Sequence, residues 1–100
     1  MAKIISTTEE FNAEISKPNT VVDFYADWCG PCKMFAPLFD QVSQEATDSN
    51  FIKVNVDELR EVADKYEIKS IPTVVKFENG NEVKRNVGSL GKDALLDFAK

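Results

Sequence analysis

The sequence predicts a three-layer α/β sandwich: a central mixed sheet of about five strands, with four helices shared between its two faces. Three observations carry this. Runs of β-branched and apolar residues alternate along the chain with segments of helical spacing, the pattern of parallel strands joined by crossover helices. The run from Thr20 to Ala26 is apolar or β-branched except at Asp23, as expected of a central strand covered on both faces. Asn79-Gly80 lies between two strand-like runs, and a type I′ turn, which needs positive φ at both central residues, favours that pair. The last two strands are therefore antiparallel and the sheet is mixed.

In chain order, Lys3 to Ile5 reads as a short strand. Ser6 offers an N-cap with Glu9 three residues on, the spacing of a capping box. Phe11 and Ile15 supply the buried side of the helix that follows, which Lys17, Pro18 and Asn19 end. Thr20 to Ala26 is the central strand. From Cys32 to about Thr47, Phe35, Leu38, Phe39, Val42 and Ala46 recur at helical spacing, with Pro37 inside the run, where it is expected to bend the helix. Phe51 to Val56 is a strand. Asp57 to Tyr66 is a short helix with Leu59, Val62, Ala63 and Tyr66 on one side. Thr73 to Glu78, opened by Pro72, and Val83 to Val87 form the hairpin arms, and a last helix over Lys92 to Phe98 turns Leu95, Leu96 and Phe98 inward.

One hundred residues suit one domain able to bury roughly two-thirds of its unfolded surface, so a single domain over residues 1–100 is expected. With 17 acidic and 12 basic residues the net charge is −5, and no stripe of Lys or Arg exists to track a phosphate backbone. Nucleic acid and anionic membrane are thus poor partners. No apolar run approaches the length of a membrane span or a signal-peptide core, which makes a soluble, untargeted chain the expectation; a removed presequence would leave the same picture.

The chain has two cysteines, Cys29 and Cys32, and no histidine. Four-ligand Cys/His zinc sites within one chain are excluded, as is nucleophilic catalysis by a Cys-His or Ser-His-Asp arrangement. A bridge closing so short a loop removes little unfolded-state entropy, so the pair serves something other than stability. It sits where a central strand ends and a helix begins, the place where ligands and catalytic groups gather in open α/β sheets. There the unpaired N–H groups and positive end of the helix stabilise a Cys29 thiolate. A term of up to ~2 kcal/mol brings a thiol of ordinary pKa about 8.5 near neutrality. Cys32, one turn later, faces Cys29 at about the span a disulfide requires, and can attack as an intramolecular group once Cys29 has captured a substrate. Gly30 lets a partner's backbone approach, and Pro31 fits the first helical turn, where its missing N–H costs nothing. Against this stand two blander readings: a pair of ordinary buried cysteines, and half of a zinc site completed by a second chain.

The segment Trp28-Cys29-Gly30-Pro31-Cys32-Lys33, together with Val22-Asp23-Phe24, Pro37, Ile71-Pro72-Thr73, Asn79-Gly80 and Val87-Gly88, resembles the thioredoxin family over essentially the whole chain. Thioredoxin is itself a standard instance of a thiol activated at a helix start, so here the family, and not the spacing, sets that expectation. The resemblance implies the thioredoxin fold and a cytoplasmic, monomeric protein-disulfide reductase, with Cys29 as nucleophile and Cys32 as resolving thiol. Trp28, Gly30, Pro31, Ile71, Pro72, Val87 and Gly88 would form the apolar surface on which targets dock, with a cis peptide at Ile71-Pro72 facing the cysteines. No cofactor would be bound beyond the redox-active Cys29–Cys32 disulfide; NADPH would act indirectly, through thioredoxin reductase. Peroxiredoxin, ribonucleotide reductase and methionine sulfoxide reductase types would be its protein substrates.

Asp23 is the one polar interruption of the central strand. Alternation alone leaves two readings: a carboxylate turned to solvent, or a buried one whose raised pKa lets it exchange a proton with Cys32. The resemblance favours the second and pairs Asp23 with Lys53, the lone charge of the Phe51 to Val56 strand. Tyr25 stands where many relatives carry a second Trp, and Ser70 where a Gly is frequent. Lys33 either adds positive potential or is merely solvated; Asp27, Asp57, Glu58 and Glu61 read as solvated charge. Two other functions share the motif: a disulfide-forming or isomerising domain, and a binding module or chaperone that uses the same surface without redox turnover.

Overall fold

The computed structural model describes residues 2–100. Five strands, β1 (Lys3–Ile4), β2 (Thr20–Tyr25), β3 (Asn50–Asn55), β4 (Thr73–Glu78) and β5 (Asn81–Val87), form one sheet in the order β1-β3-β2-β4-β5. The β1–β3 and β3–β2 pairs are parallel, whereas β2–β4 and β4–β5 are antiparallel. Helices α1 (Thr8–Ile15), α2 (Gly30–Glu45), α3 (Arg60–Lys65) and α4 (Lys92–Ala99) complete the chain. The three-layer architecture expected from the sequence is the one observed.

Strand alternation divides the core in two. Val22, Phe24, Ile52, Val54, Val75 and Phe77 point to one face, where they meet Phe11 and Ile15 of α1 and Val62 and Ala63 of α3. Val21, Phe51 and Val74 point to the other, against Phe35, Phe39 and Val42 of α2 and Leu95 of α4. Phe11 packs edge-on to Phe77 at 5.9 Å, and Phe39 to Phe51 at 5.3 Å, so each layer is tied to the sheet by an aromatic pair worth about 0.5–1.5 kcal/mol beyond its buried area. Asp23 and Lys53 share the parity of Val21 and Phe51, which places both beneath α2.

Several boundaries differ from expectation for local reasons. The α1 cap falls one residue later: Thr7 Oγ1 accepts the Glu10 N–H at 3.1 Å, and Glu10 Oε1 accepts the Ser6 N–H at 2.8 Å. Ile5 donates its N–H to the Lys53 carbonyl at 2.9 Å, which keeps the chain extended through Ser6. Helix α3 starts at Arg60 instead of Asp57, because the Asn55 side-chain oxygen accepts the N–H groups of Asp57 (2.9 Å) and Glu58 (3.2 Å) and holds them in an Asx turn. In α4, Leu95 and Ala99 are buried, while Leu96 and Phe98 are only half so; Lys84 covers the Phe98 ring instead. Helix α2 begins at Gly30 and runs through Pro37 without a break.

The hairpin follows the sequence reading. Asn79 (φ 53°) and Gly80 (φ 90°) both take positive φ, and the tip is pinned to the end of α1 by Asn79 N–H to Lys17 O (3.0 Å) and Gly80 N–H to Ile15 O (2.8 Å). A register shift at Lys76/Phe77 leaves Val83 as the extra residue of β5, a β-bulge that twists this edge strand.

Candidate active site

Strand β2 ends at Tyr25, and four residues later Cys29 (φ −90°, ψ 111°) is the N-cap of α2, with Gly30 and Pro31 opening the first turn. Cys29 and Cys32 form a disulfide with Cα atoms 5.3 Å apart. One sulfur also caps the helix: Cys29 Sγ accepts the Cys32 N–H at 3.2 Å. That N–H belongs to the group left without helical partners at an α-helix start, and it points at the Cys29 sulfur, an arrangement that favours negative charge there. Only 4% of Cys29 and 3% of Cys32 is exposed.

The Ile71-Pro72 segment meets the disulfide, and the Val87-Gly88 loop is bonded to that segment. The Ile71-Pro72 peptide is cis, and the Ile71 carbonyl oxygen lies 3.8 Å from Cys29 Sγ. Gly88 donates its N–H to the Pro72 carbonyl at 2.8 Å with φ 103°, a left-handed conformation that favours glycine; it joins the Val87 loop to Pro72. Trp28 and Val87 are 70% and 63% exposed. Gly30 and Pro31 are exposed, Ile71 and Gly88 half-buried, and Pro72 is buried, so it supports this surface from beneath. Asp57 is exposed, as a solvated charge should be, and its Oδ2 also accepts the Trp28 indole N–H at 2.9 Å. These residues are 29 apart in sequence, and only the fold brings the end of β3 beside the start of α2.

Behind the disulfide, Asp23, Cys32 and Lys53 line one cavity of about 260 Å³, with Tyr25, Ala26, Asp27, Lys33 and Ala36. Asp23 is 0% exposed, and neither carboxylate oxygen has a hydrogen-bond partner. Burial pushes its carboxyl up to about 7; the Lys53 ammonium opposes that rise and Asp40 adds to it. Lys53 is directly opposite Asp23 in the β2–β3 register, yet its Nζ sits over the Tyr25 ring, 5.0 Å from the centroid. Among the described residues no group of three or more Cys, His, Asp or Glu side chains is arranged to hold a metal ion, and no helix is long and apolar enough to cross a membrane.

The family model for thioredoxin matches residues 2–100. A thioredoxin of Mycoplasma genitalium is 48% identical over 83 residues, covering 83% of this chain and 81% of the relative. The solved thioredoxin of Plasmodium falciparum superposes with a TM-score of 0.92 at 40% identity, over 98% of this chain and 96% of that one. A chain from a structure described as the basis of thiol resolution in a yeast mitochondrial 1-Cys peroxiredoxin via glutathione and thioredoxin systems gives a TM-score of 0.88 at 31% identity, over 98% and 92%. A redox-active cysteine pair at a helix start, on this fold and with these relatives, places the chain in the thioredoxin family of dithiol–disulfide oxidoreductases, which reduce disulfide bonds in proteins.

Proposed function

We propose that this chain reduces its protein substrates with Cys29 as nucleophile and Cys32 as resolving thiol. The observation that carries the assignment is the capping geometry, in which the helix start is aimed at Cys29 Sγ and not at Cys32. In the reduced protein the Cys29 thiolate attacks one sulfur of a substrate disulfide; a mixed disulfide forms and the substrate's other sulfur leaves as thiolate. Cys32, giving up its proton, then attacks Cys29 Sγ. The second substrate thiolate departs, and the Cys29–Cys32 disulfide holds the two oxidising equivalents. The first attack favours a thiol ionised near ambient pH; the second profits from the high effective concentration of a group one turn away.

Asp23 exchanges the Cys32 proton. A carboxyl poised near 7 is matched to that task, and the shared cavity is large enough to admit water between the two groups. Lys53 supplies the nearby positive charge. Trp28, Gly30, Pro31, Ile71, Val87 and Gly88, with Pro72 beneath, receive the extended target segment. Thioredoxin reductase returns the disulfide to the dithiol at the expense of NADPH. Substrates of the peroxiredoxin, ribonucleotide reductase and methionine sulfoxide reductase types fit this scheme, the first supported by the context of the peroxiredoxin-related neighbour. The protein works in the cytoplasm as a monomer, its residues 1–100 acting as one domain.

Trapping tests the division of labour. Cys32→Ser should accumulate mixed disulfides through Cys29 when incubated with a disulfide-containing protein such as insulin, and Cys29→Ser should not. Equal trapping by both variants would refute the assignment.

A further inference from the structure

On the α2 face of the sheet, the Lys53 side chain has two destinations. Asp23 is directly opposite it on β2, about 4.8 Å away between strands, and Tyr25, two residues further along β2, projects from the same face. The four-carbon stem reaches either. Yet Asp23, wholly buried, has no hydrogen-bond partner on either oxygen, while the ammonium stands 5.0 Å from the centre of the Tyr25 ring, within the range at which a cation is attracted to an aromatic face. Asp23 lies deep, whereas Tyr25 is half-buried towards the surface. The ring offers an ammonium an attractive surface while leaving it hydrated, and long cationic side chains favour such places.

We propose that Tyr25 is a positioning residue: its ring tethers the Lys53 ammonium away from the Asp23 carboxyl, so that this carboxyl keeps no ion-pair partner. The tether is a statement about Asp23 and Lys53 themselves; its consequence for turnover rests on the proton-exchange role given to Asp23 above. The groups facing Asp23 are Lys53 from β3, Asp40, Cys32 and Lys33 from α2, and Asp27 beyond the end of β2. Val74, its partner on β4, does not titrate. Of the two lysines, Lys53 is the one directly opposite Asp23 on the neighbouring strand, so where its ammonium rests is the adjustable part of this environment. Were it to pair with Asp23, the carboxylate would be favoured and its proton lost at lower pH.

The test uses the disulfide form, in which the thiols do not titrate. Asp23 is followed by carboxyl-carbon NMR in the unaltered protein, Tyr25→Phe and Tyr25→Leu, each with and without Lys53→Met. The Phe variant keeps the ring and should keep the Asp23 midpoint. In the Leu variant the midpoint should fall by about one pH unit or more, as when an opposite charge comes within reach of a carboxyl. With Lys53→Met present, the same Leu substitution should leave the midpoint in place. An unmoved midpoint in Tyr25→Leu overturns the proposal, as does an equal fall with and without Lys53, which would mean that water entering the cavity was responsible. The unaltered protein gives an independent reading that needs no variant to fold: the Lys53 methylene protons next to Nζ should be shifted upfield by the Tyr25 ring, and unshifted positions would overturn the tether. The pH profile of disulfide reduction separates the two ideas. If it follows the Asp23 midpoint in Tyr25→Leu, tether and proton exchange both stand; if the midpoint moves and the profile does not, the tether stands and the role of Asp23 in turnover falls.

Discussion

A carboxyl at 0% exposure without a hydrogen bond costs the fold stability whenever it is ionised. In the unfolded chain Asp23 ionises near its ordinary 3.8, and in the folded protein near 7. Between those two values the native state holds more protons than the unfolded one, so stability falls as pH rises through that window and levels off above it. Asp23→Asn retains the shape and removes the charge. It should therefore be more stable than the unaltered protein at pH 8 by up to about 4 kcal/mol, the difference shrinking towards pH 4, as urea denaturation at the two pH values would measure. A pH-independent difference would mean that packing, and not ionisation, sets the effect. From the sequence, Asp23 was visible as an anomaly in an apolar run, but strand alternation alone left its side chain either buried or turned to solvent, and only the family resemblance favoured burial. Tyr25 and Asp57 were less legible still. Their partners, Lys53 and Trp28, lie 28 and 29 residues away in the chain, and no local pattern encodes such contacts.

Among the elements, those with a strong local signal were read closely. The Asn79-Gly80 turn was legible because few dipeptides tolerate two successive positive φ values. The start of α2 was legible because Gly-Pro suits a first turn and little else in a helix. Helix α1 shows the limit. Both Ser6…Glu9 and Thr7…Glu10 have capping-box spacing, and what decides between them is a tertiary bond, Ile5 N–H to Lys53 O. Thr7→Ala should accordingly cost about 1 kcal/mol, lowering Tm by about 4–8 °C in a domain of this size, whereas Ser6→Ala, whose backbone N–H is the group engaged, should stay within about 0.5 kcal/mol. Calorimetry of the two variants would decide, and the opposite order would restore the cap to Ser6. The late start of α3 has the same origin: the Asn55 side chain competes with the helix for the Asp57 and Glu58 N–H groups.

At the scale of the whole molecule, the β1-β3-β2-β4-β5 order places β2 at the centre, so its C-terminal end is where α2, the Ile71-Pro72 segment and the Val87-Gly88 loop converge. No one of these makes the site. Helix α2 directs the Cys32 N–H at Cys29 Sγ, the Ile71 carbonyl approaches the same sulfur, and the cavity holding Asp23 opens towards Cys32 alone of the pair. The two cysteines, three residues apart and both nearly buried, are thus given unlike surroundings, as the proposed division into an attacking and a resolving thiol requires. The most direct measurement is the pH dependence of alkylation at each thiol in the reduced protein, resolved by mass spectrometry of the separated sites. Cys29 should react first, with an apparent pKa well below the ordinary value of about 8.5, and Cys32 should react later and more slowly. Two thiols that ionise alike, each near 8.5, would contradict the account.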